Sequence, residues 1–284
     1  MNMPQELRRK LPELPKKLAL AARYALDNPD RIALDSMRTS ATAVGVTSTT
    51  MLRLARQMGF ESYEDFRAGF QAELLESSFG ARAGALHTGT KRNGQATLAD
   101  KIHEATEQNI RSALARLDPS ELSKMAQIMR EAHACYLVGS GSLFWLAALM
   151  KTTGTMVLPN LRLVGAEYAV AAEAIGQLSP DDVVICLGIN PCAIRTIDAL
   201  HYAREQGAHT IAMTDRPSSP LAENAEFVFC ADTKSPHYYP SVVAMMQLIE
   251  TLLATVVAEG GHEELERIEQ FEAQRKATAS YVEY

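Results

Sequence analysis

Five short apolar runs in the second half of the chain constrain its fold more than any other feature. Each run is continuously apolar at its centre rather than alternating, and helical segments separate the runs. The strands of a parallel sheet have this pattern, because helices bury both faces of such a sheet. We therefore predict a five-stranded parallel α/β domain with strands at residues 135–139, 161–165, 183–188, 210–214 and 227–231.

The first part of the chain shows only helical periodicity, with interruptions at Pro and Gly. We predict an all-α domain at residues 1–77, a linker rich in Gly, Ser, Thr and Ala at 78–100, and the α/β domain at 101–284. A segment at about residues 239–259 is apolar nearly all round, so we expect a helix buried against the sheet or against another subunit.

The distribution of charge restricts the partners of the chain. With 28 Lys and Arg against 34 Asp and Glu, the formal net charge is −6, which excludes a non-specific nucleic-acid coat. Residues 1–77 contain 11 basic and 10 acidic side chains, so the acidic excess lies in the rest of the chain. If the first domain binds DNA, individual arginines must supply the positive charge, and affinity must fall steeply with salt.

Targeting signals and cysteine motifs are absent from the sequence. No stretch of about 18 uninterrupted apolar residues occurs, and the N-terminal residues lack a signal-peptide pattern, so we expect a cytoplasmic protein without a membrane partner. The four cysteines are widely spaced, which favours neither a metal centre nor a disulfide scaffold, and we predict no cofactor. Cys135, Cys186 and Cys230 lie in apolar runs and are expected in the core.

Residues 36–60 have the pattern of a helix-turn-helix. Ser36 and Thr47 can each cap a helix, and Gly45 permits a sharp turn between them. On the second helix one face is apolar and the other carries short hydroxyls followed by two arginines, as a recognition helix requires. The apolar face comprises Met51, Leu54, Ala55 and Met58, and the polar face Ser48, Thr49, Arg53, Arg56 and Gln57. Two short helices around a glycine also occur in domains that never bind DNA.

Three segments of the first domain resemble the MurR/RpiR family of bacterial transcription regulators, which join a helix-turn-helix domain to a sugar isomerase (SIS) domain. These segments are ALDNPDRIALDSM, GVTSTTMLRLARQMGF and SYEDFR, in the order and spacing of the family. The resemblance implies that Thr47 caps the recognition helix and that Ser48, Thr49, Thr50, Arg53 and Arg56 face DNA. Arg38 is a further candidate for local positive charge. Ser40 stands where the family usually has a core Leu, while Tyr63, Phe66 and Phe70 are expected in the core.

The segment LVGSGSLFWLAALM at residues 137–150 is typical of a strand, a tight turn and a helix. Such a turn directs backbone N–H groups at an anion, and Ser140, Gly141 and Ser142 can contribute to the site. Phe144 occupies the third glycine position of a dinucleotide fingerprint, so that fingerprint is not supported. A tight turn without any ligand remains an alternative.

Residues 183–231 resemble SIS domains nearly throughout, with one departure. The family's phosphate-binding Ser-x-Ser-Gly-x-Thr loop is replaced by Gly188, Asn190, Pro191 and Ala193 at the four defined positions. This loses three hydroxyl donors and one backbone N–H, so a plain sugar phosphate becomes doubtful as effector. Arg195 and Thr196 follow, and Arg195 can either bind an anion or be an exposed helix arginine. Ser235, His237 and Tyr239 are further candidates after the fifth strand.

These patterns favour a ligand-responsive transcription regulator. We expect a homodimer or homotetramer on an inverted-repeat operator in double-stranded DNA, and a small-molecule effector in the second domain. One alternative is a sugar-phosphate isomerase, for which Glu167, Glu173 and His237 are the conceivable bases. Another is a SIS domain that serves only for oligomerisation.

Overall fold

The computed structural model describes residues 3–77, 79–89, 97–165 and 171–278. The chain divides into two compact units, Met1–Gly94 with His237–Tyr239, and Gln95–Pro236 with Pro240–Tyr284. The first break follows Gly94, inside the segment predicted as a linker.

The described part of the first unit is helical, in agreement with the predicted all-α domain. Its core contains the predicted apolar face of the second helix together with Tyr63, Phe66 and Phe70, all of them buried. A 3₁₀ turn at Leu11–Glu13 follows the first helix. The helices are α1 (Met3–Lys10), α2 (Lys16–Asp27), α3 (Pro29–Leu34), α4 (Met37–Val44), α5 (Ser48–Gln57), α6 (Tyr63–Ser77) and α7 (Phe79–Gly89).

The second unit contains the predicted five-stranded parallel sheet, with strand order β2-β1-β3-β4-β5. Every strand overlaps its predicted run, and β1 and β3 are buried throughout. The strands are β1 (Ala134–Gly139), β2 (Leu161–Leu163), β3 (Asp182–Gly188), β4 (His209–Thr214) and β5 (Phe227–Cys230). The helices are α8 (Leu98–Ala115), α9 (Pro119–Glu131), α10 (Ser142–Gly154), α11 (Ala171–Ile175), α12 (Ile194–Glu205), α13 (Val243–Ala258) and α14 (His262–Ala277).

Helices flank both faces of the sheet. Buried residues of α9, α10 and α13 form one core against it, and buried residues of α11 and α12 form the other. The apolar segment predicted at 239–259 becomes α13, which buries one face against the sheet and leaves Val243 and Met246 exposed. No single helix among the described residues is long and apolar enough to cross a membrane, although α13 and α14 pass that test as a pair bent by 112°.

Ser40 and Tyr63 place two hydroxyls in the core of the first unit. Ser40 is completely buried and Tyr63 is 3% exposed. Burial raises the pKa of Tyr63, and the nearby Ser40 hydroxyl opposes that shift. Within the described residues, neither Ser40 Oγ nor Tyr63 Oη has a well-aligned hydrogen-bond partner. This departure from the family's Leu therefore introduces an imperfectly satisfied polar pair.

We expect the double variant Ser40→Ala/Tyr63→Phe to be at least as stable as the unaltered chain. Replacing buried hydroxyls that lack a well-aligned partner by apolar groups of similar shape is nearly neutral or stabilising, because no well-formed hydrogen bond is lost. Chemical unfolding of both single variants and the double variant measures these differences. A double variant that is less stable than both single variants would show that the two hydroxyls stabilise the core in some other way.

Candidate functional site

A sharp turn joins α4 to α5, as the sequence predicts. Ser36 Oγ accepts a hydrogen bond from the N–H of Thr39 (3.2 Å), which caps the start of α4. Gly45 ends α4 with φ +75°, a left-handed conformation that favours glycine. Thr47 Oγ1 accepts from the N–H of Thr50 (3.3 Å) and caps α5. The two helices thus begin and end at the predicted residues.

The polar face of α5 points away from the core of the first unit. Thr49, Arg53 and Arg56 are exposed, and Ser48 is half-buried at the first position of the helix. The hydroxyls of Thr47 and Thr50 bond to each other (3.0 Å), so both take part in capping. Arg38 is exposed on α4. The structure therefore presents two arginines and two hydroxyl side chains on the outer face of α5.

Lys10 at the end of α1 contacts the other end of α5. Its Nζ donates to the carbonyl oxygen of Gln57, the last residue of α5, at 3.1 Å. A cation at a helix C-terminus interacts favourably with the helix dipole. The sequence gives no signal for this contact, because 47 residues separate its two members.

In the second unit the candidate effector residues begin at the turn between β1 and α10. Ser140 and Gly141 form the turn, and Ser142 is the first residue of α10. Gly141 has φ +59°. A Cβ on Gly139 would lie 2.4 Å from the backbone oxygen of Leu143, so a glycine is required for this close approach.

We expect Gly139→Ala to destabilise the second unit by roughly 3 kcal/mol, the upper range for overpacking of a tight site, because the obstructing atoms belong to the backbone. Gly84→Ala is the matched control, since nothing lies within 4 Å of a Cβ at that helical position. It should leave stability unchanged or raise it by up to about 1 kcal/mol. Denaturant unfolding of both variants checks the prediction, and equal effects would contradict it.

The loop between β3 and α12 lies beside this turn. Thr196 is buried at 1% exposure, and its hydroxyl shares a hydrogen bond of 3.1 Å with the hydroxyl of Ser140. Asn190 precedes a cis peptide bond to Pro191. A Cβ on Gly188 would lie 2.6 Å from Leu221 Cδ1 and 2.7 Å from Cys192 Sγ. A serine at position 188 would therefore have to displace two side chains that close the back of the loop.

Arg195 is half-buried rather than an exposed helix arginine. Its Nη2 donates to the carbonyl oxygen of Gly165 at 3.2 Å. That contact joins α12 to the chain that follows β2 and restrains the guanidinium beside the β3 loop. The structure thus brings Ser140 and Thr196 into direct contact and places Asn190 and Arg195 on the same loop and helix start.

Two charged residues at the end of β4 were not among the predicted site residues. Asp215 follows β4 directly, and its buried carboxylate accepts hydrogen bonds from Arg216 Nε (3.0 Å) and Nη2 (2.8 Å). The motif TDRPSSPLA at residues 214–222 was the available signal, because it follows the predicted strand immediately. A pocket of about 220 Å³ lies nearby, between α8, β5 and Pro217.

Ser235 lies in the chain after β5, at residues 232–236, which we call the β5 loop. Thr233 in this loop accepts a hydrogen bond from the N–H of Ser241 (3.0 Å) through its carbonyl oxygen. His237 and Tyr239 group with the first unit, where the Tyr239 N–H donates to His237 Nδ1 (3.1 Å). They are therefore not among the residues that the second unit collects at the ends of its strands.

The candidate bases for isomerase chemistry are not assembled in the described residues. Glu173 is exposed on α11, and Glu167 lies outside the described residues. His237 is exposed and belongs to the first unit. No group of three or more metal-ligating side chains occurs in the described ranges.

All four cysteines are free. Cys135 and Cys186 are fully buried as predicted, whereas Cys192 and Cys230 are half-buried. Burial raises the pKa of Cys135 to about 12 and that of Cys192 to about 11. Thiols with such pKa values stay protonated at neutral pH, which fits packing rather than reactive roles.

Comparison with known proteins agrees with both units. The SIS domain family matches residues 128–258. The HTH-type transcriptional regulator HexR of Pseudomonas aeruginosa is 23% identical over 262 residues, which are 90% of this chain and 89% of HexR. An uncharacterised HTH-type transcriptional regulator of Haemophilus influenzae is 24% identical over 210 residues, 74% of this chain and 72% of that protein.

Two solved structures share the fold. The NanR protein of Vibrio vulnificus, solved in complex with ManNAc-6P, has a TM-score of 0.62 at 16% identity and covers 99% of this chain and 100% of its own. The sugar isomerase domain of an RpiR transcription factor from Sphaerobacter thermophilus has a TM-score of 0.56 at 21% identity, covering 61% and 96%. The chain therefore carries a SIS domain at residues 128–258, is similar over most of its length to HTH-type transcriptional regulators such as HexR, and shares its fold with the NanR and RpiR regulators.

Proposed function

We propose that the chain is a ligand-responsive transcription regulator whose first unit binds an operator through α5. The observation that carries this proposal is the outer face of α5, where Ser48 and Thr49 precede Arg53 and Arg56 on a helix that Thr47 caps at its start. Short hydroxyls near a helix N-terminus can approach base edges, and arginine can bind guanine with two hydrogen bonds. Arg38 on α4 adds a cation for the DNA backbone.

A mobility-shift assay with the DNA upstream of the chain's own gene tests the proposal. We expect a sequence-specific shift that weakens steeply as salt increases, because phosphate contacts release counterions. A scrambled duplex of equal length and composition is the control. The proposal fails if the chain shows no preference for the upstream DNA over the scrambled duplex at low salt with any metabolite tested.

We propose that the second unit binds a small anionic metabolite derived from carbohydrate, at the carboxyl ends of its strands. Ser140, Gly141, Ser142, Asn190, Arg195, Thr196 and Ser235 are the proposed contact residues. NanR of Vibrio vulnificus was solved in complex with ManNAc-6P, but Gly188, Asn190 and Pro191 here supply fewer donors for a phosphate. Arg195 gives the site a cation that suits a carboxylate as well as a phosphate.

Thermal unfolding with added metabolites identifies the effector class. A ligand that binds only the folded state at 100 times its Kd stabilises it by about 2.7 kcal/mol. ManNAc-6P, gluconate 6-phosphate, gluconate and inorganic phosphate separate the contributions of the sugar, the carboxylate and the phosphate. If none of a broader set of sugar phosphates and sugar acids raises the unfolding temperature, the sensing role is contradicted.

We propose no catalytic role for the chain. Isomerisation needs a base within hydrogen-bond distance of the substrate. Glu173, a candidate base within the described residues, is instead exposed on α11. Turnover of a sugar phosphate that disappears in Glu173→Gln would overturn this.

We further propose that the chain forms a two-fold dimer, or a tetramer built from it, through an apolar surface of the second unit. A groove of about 340 Å³ runs between α10, α13 and α14. Trp145, 72% exposed, lies one turn before Leu149 of the groove on α10. The groove residues include Leu149, Met156, Met246, Leu253, Val257 and Ile268.

The charge pattern of α14 supports a second copy of the chain as the partner. The helix has the exposed Glu263 and Glu266 near its start and Arg275 and Lys276 in its last turn, whereas the buried Glu264 caps the helix by accepting from the N–H of Gly261. When two copies of α14 pack antiparallel across a two-fold axis, the acidic end of one helix meets the basic end of the other. The same two-fold symmetry is what an inverted-repeat operator requires.

A further inference from the structure

One face of α8 holds the β5 loop. Asn109 Nδ2 donates to the carbonyl oxygen of Lys234 at 2.6 Å, and Ser112 Oγ donates to Asp232 Oδ2 at 3.0 Å. Arg116 reaches both carboxylate oxygens of Asp232, at 2.8 and 3.3 Å. Asn109 and Ser112 lie on α8 and Arg116 caps its C-terminal end, and because three and four positions separate them they form one stripe along the helix.

The Asp232 carboxylate depends on this stripe. Burial raises its pKa, but the hydrogen bonds from Arg116 and Ser112 and the charge of Arg116 outweigh burial, so its pKa is below its usual value. The group is therefore ionised at neutral pH. Movement of the β5 loop away from α8 would separate the Asp232 carboxylate from Arg116 and from the Ser112 hydroxyl. The position of the loop therefore depends on the position of α8.

Asn109 gives the loop a physical reason to adopt a second arrangement. The side chain is 1% exposed, and its Oδ1 has no hydrogen-bond partner in the described part of the chain. A buried acceptor without a donor is costly. An arrangement of the β5 loop that brings a donor to this oxygen would recover that cost. The pocket beside Arg116 and Cys230 leaves room for such a change.

The order of the chain connects this stripe to the first unit. α8 is the first helix of the second unit, and a capping box between Thr97 and Asp100 fixes its start. In the sequence, α8 is the first helix after Gly94, where the first unit ends. The helix that holds the β5 loop, where the proposed effector contact Ser235 lies, is thus also the helix that follows the DNA-binding unit in sequence.

We propose that Asn109, Ser112 and Arg116 are positioning residues that couple the β5 loop to α8, so that a ligand bound beside Ser235 changes operator affinity through α8. This inference rests on the proposed function and specifies how its two units communicate. Coupling between two sites requires an element whose arrangements both sites bias, and the contact between α8 and the β5 loop is that element.

The test measures operator affinity of the full chain without any ligand, by fluorescence anisotropy. We expect Arg116→Gln and Asn109→Ala each to change the operator Kd by at least about fivefold, the lower range of measured allosteric couplings, because they release the loop. Arg116→Lys keeps the cation and should restore the Kd to within about twofold. Arg111→Gln is the matched control, since Arg111 is exposed on the same helix and pairs with Glu107.

Thermal unfolding of each variant separates coupling from a purely structural role. A structural role would lower the unfolding temperature and leave the operator Kd of the folded protein unchanged, which would overturn the inference. Equal Kd changes in Arg111→Gln and Arg116→Gln would overturn it as well. If the unaltered chain does not prefer the operator over a scrambled duplex, both the proposed function and this inference fail. If the unaltered chain binds the operator and none of the variants at Asn109 and Arg116 changes the operator Kd, this inference alone is refuted.

Discussion

Arg53→Ala is expected to abolish sequence-specific operator binding while the chain keeps its fold. Arg53 is exposed in the middle of α5, two positions after the buried Met51, so removing its side chain leaves the core untouched. A bidentate arginine contact contributes about 1–3 kcal/mol of discrimination per base pair. A dimer makes the contact in both half-sites, so the loss is about 2–6 kcal/mol, or roughly 30-fold and more in Kd.

Arg31→Ala is the control for this change. Arg31 is exposed on α3, outside the α4–α5 pair, so the variant removes the same charge from the same unit. We expect a small loss that is equal for operator and scrambled DNA, because phosphate contacts carry no sequence information. Anisotropy titrations with both duplexes distinguish the two cases. Unchanged operator affinity in Arg53→Ala would show that α5 is not the recognition helix.

The sequence predicts the strands and the helix-turn-helix because local patterns encode both. A buried parallel strand needs a continuous apolar run, and the observed β3 at Asp182–Gly188 differs from its predicted run by one residue. Likewise Ser36, Gly45 and Thr47 act within four residues of the helix ends that they define. A secondary-structure element that is determined by its own few residues can therefore be predicted from those residues alone.

Other features depend on contacts between distant parts of the chain and were not predicted. Arg195 is restrained by the carbonyl of Gly165, and Asp232 by a cation on α8 more than 110 positions earlier. The segment that forms α7 was predicted as part of the linker, because its Gly-rich and Ala-rich sequence shows no apolar periodicity. α14 also escapes prediction, since its charged residues give only a weak apolar face. Only the folded structure shows that α14 lies beside α10 and α13 and lines an apolar groove with them.

That arrangement makes self-association the second prediction with a large expected effect. Trp145 and Met246 are exposed on α10 and α13, so polar replacements there leave the core of the second unit intact. Across a two-fold axis each altered residue occurs twice. If each is a hot-spot contact of about 2 kcal/mol, two copies contribute about 4 kcal/mol per position, close to a thousandfold in the dimer Kd.

We therefore expect Trp145→Glu/Met246→Glu to sediment as a single copy at concentrations where the unaltered chain is a dimer or tetramer. Operator affinity should fall by about 100-fold or more, because one copy contacts only one half-site. Ile194→Glu is the matched control: Ile194 is 75% exposed, but it lies at the start of α12, which packs on the opposite face of the sheet. That variant also introduces a carboxylate on the same unit, one rather than two, and it should remain associated because it lies away from the groove. Analytical ultracentrifugation decides between the outcomes, and a double variant that still sediments with the unaltered chain would place the interface on another surface.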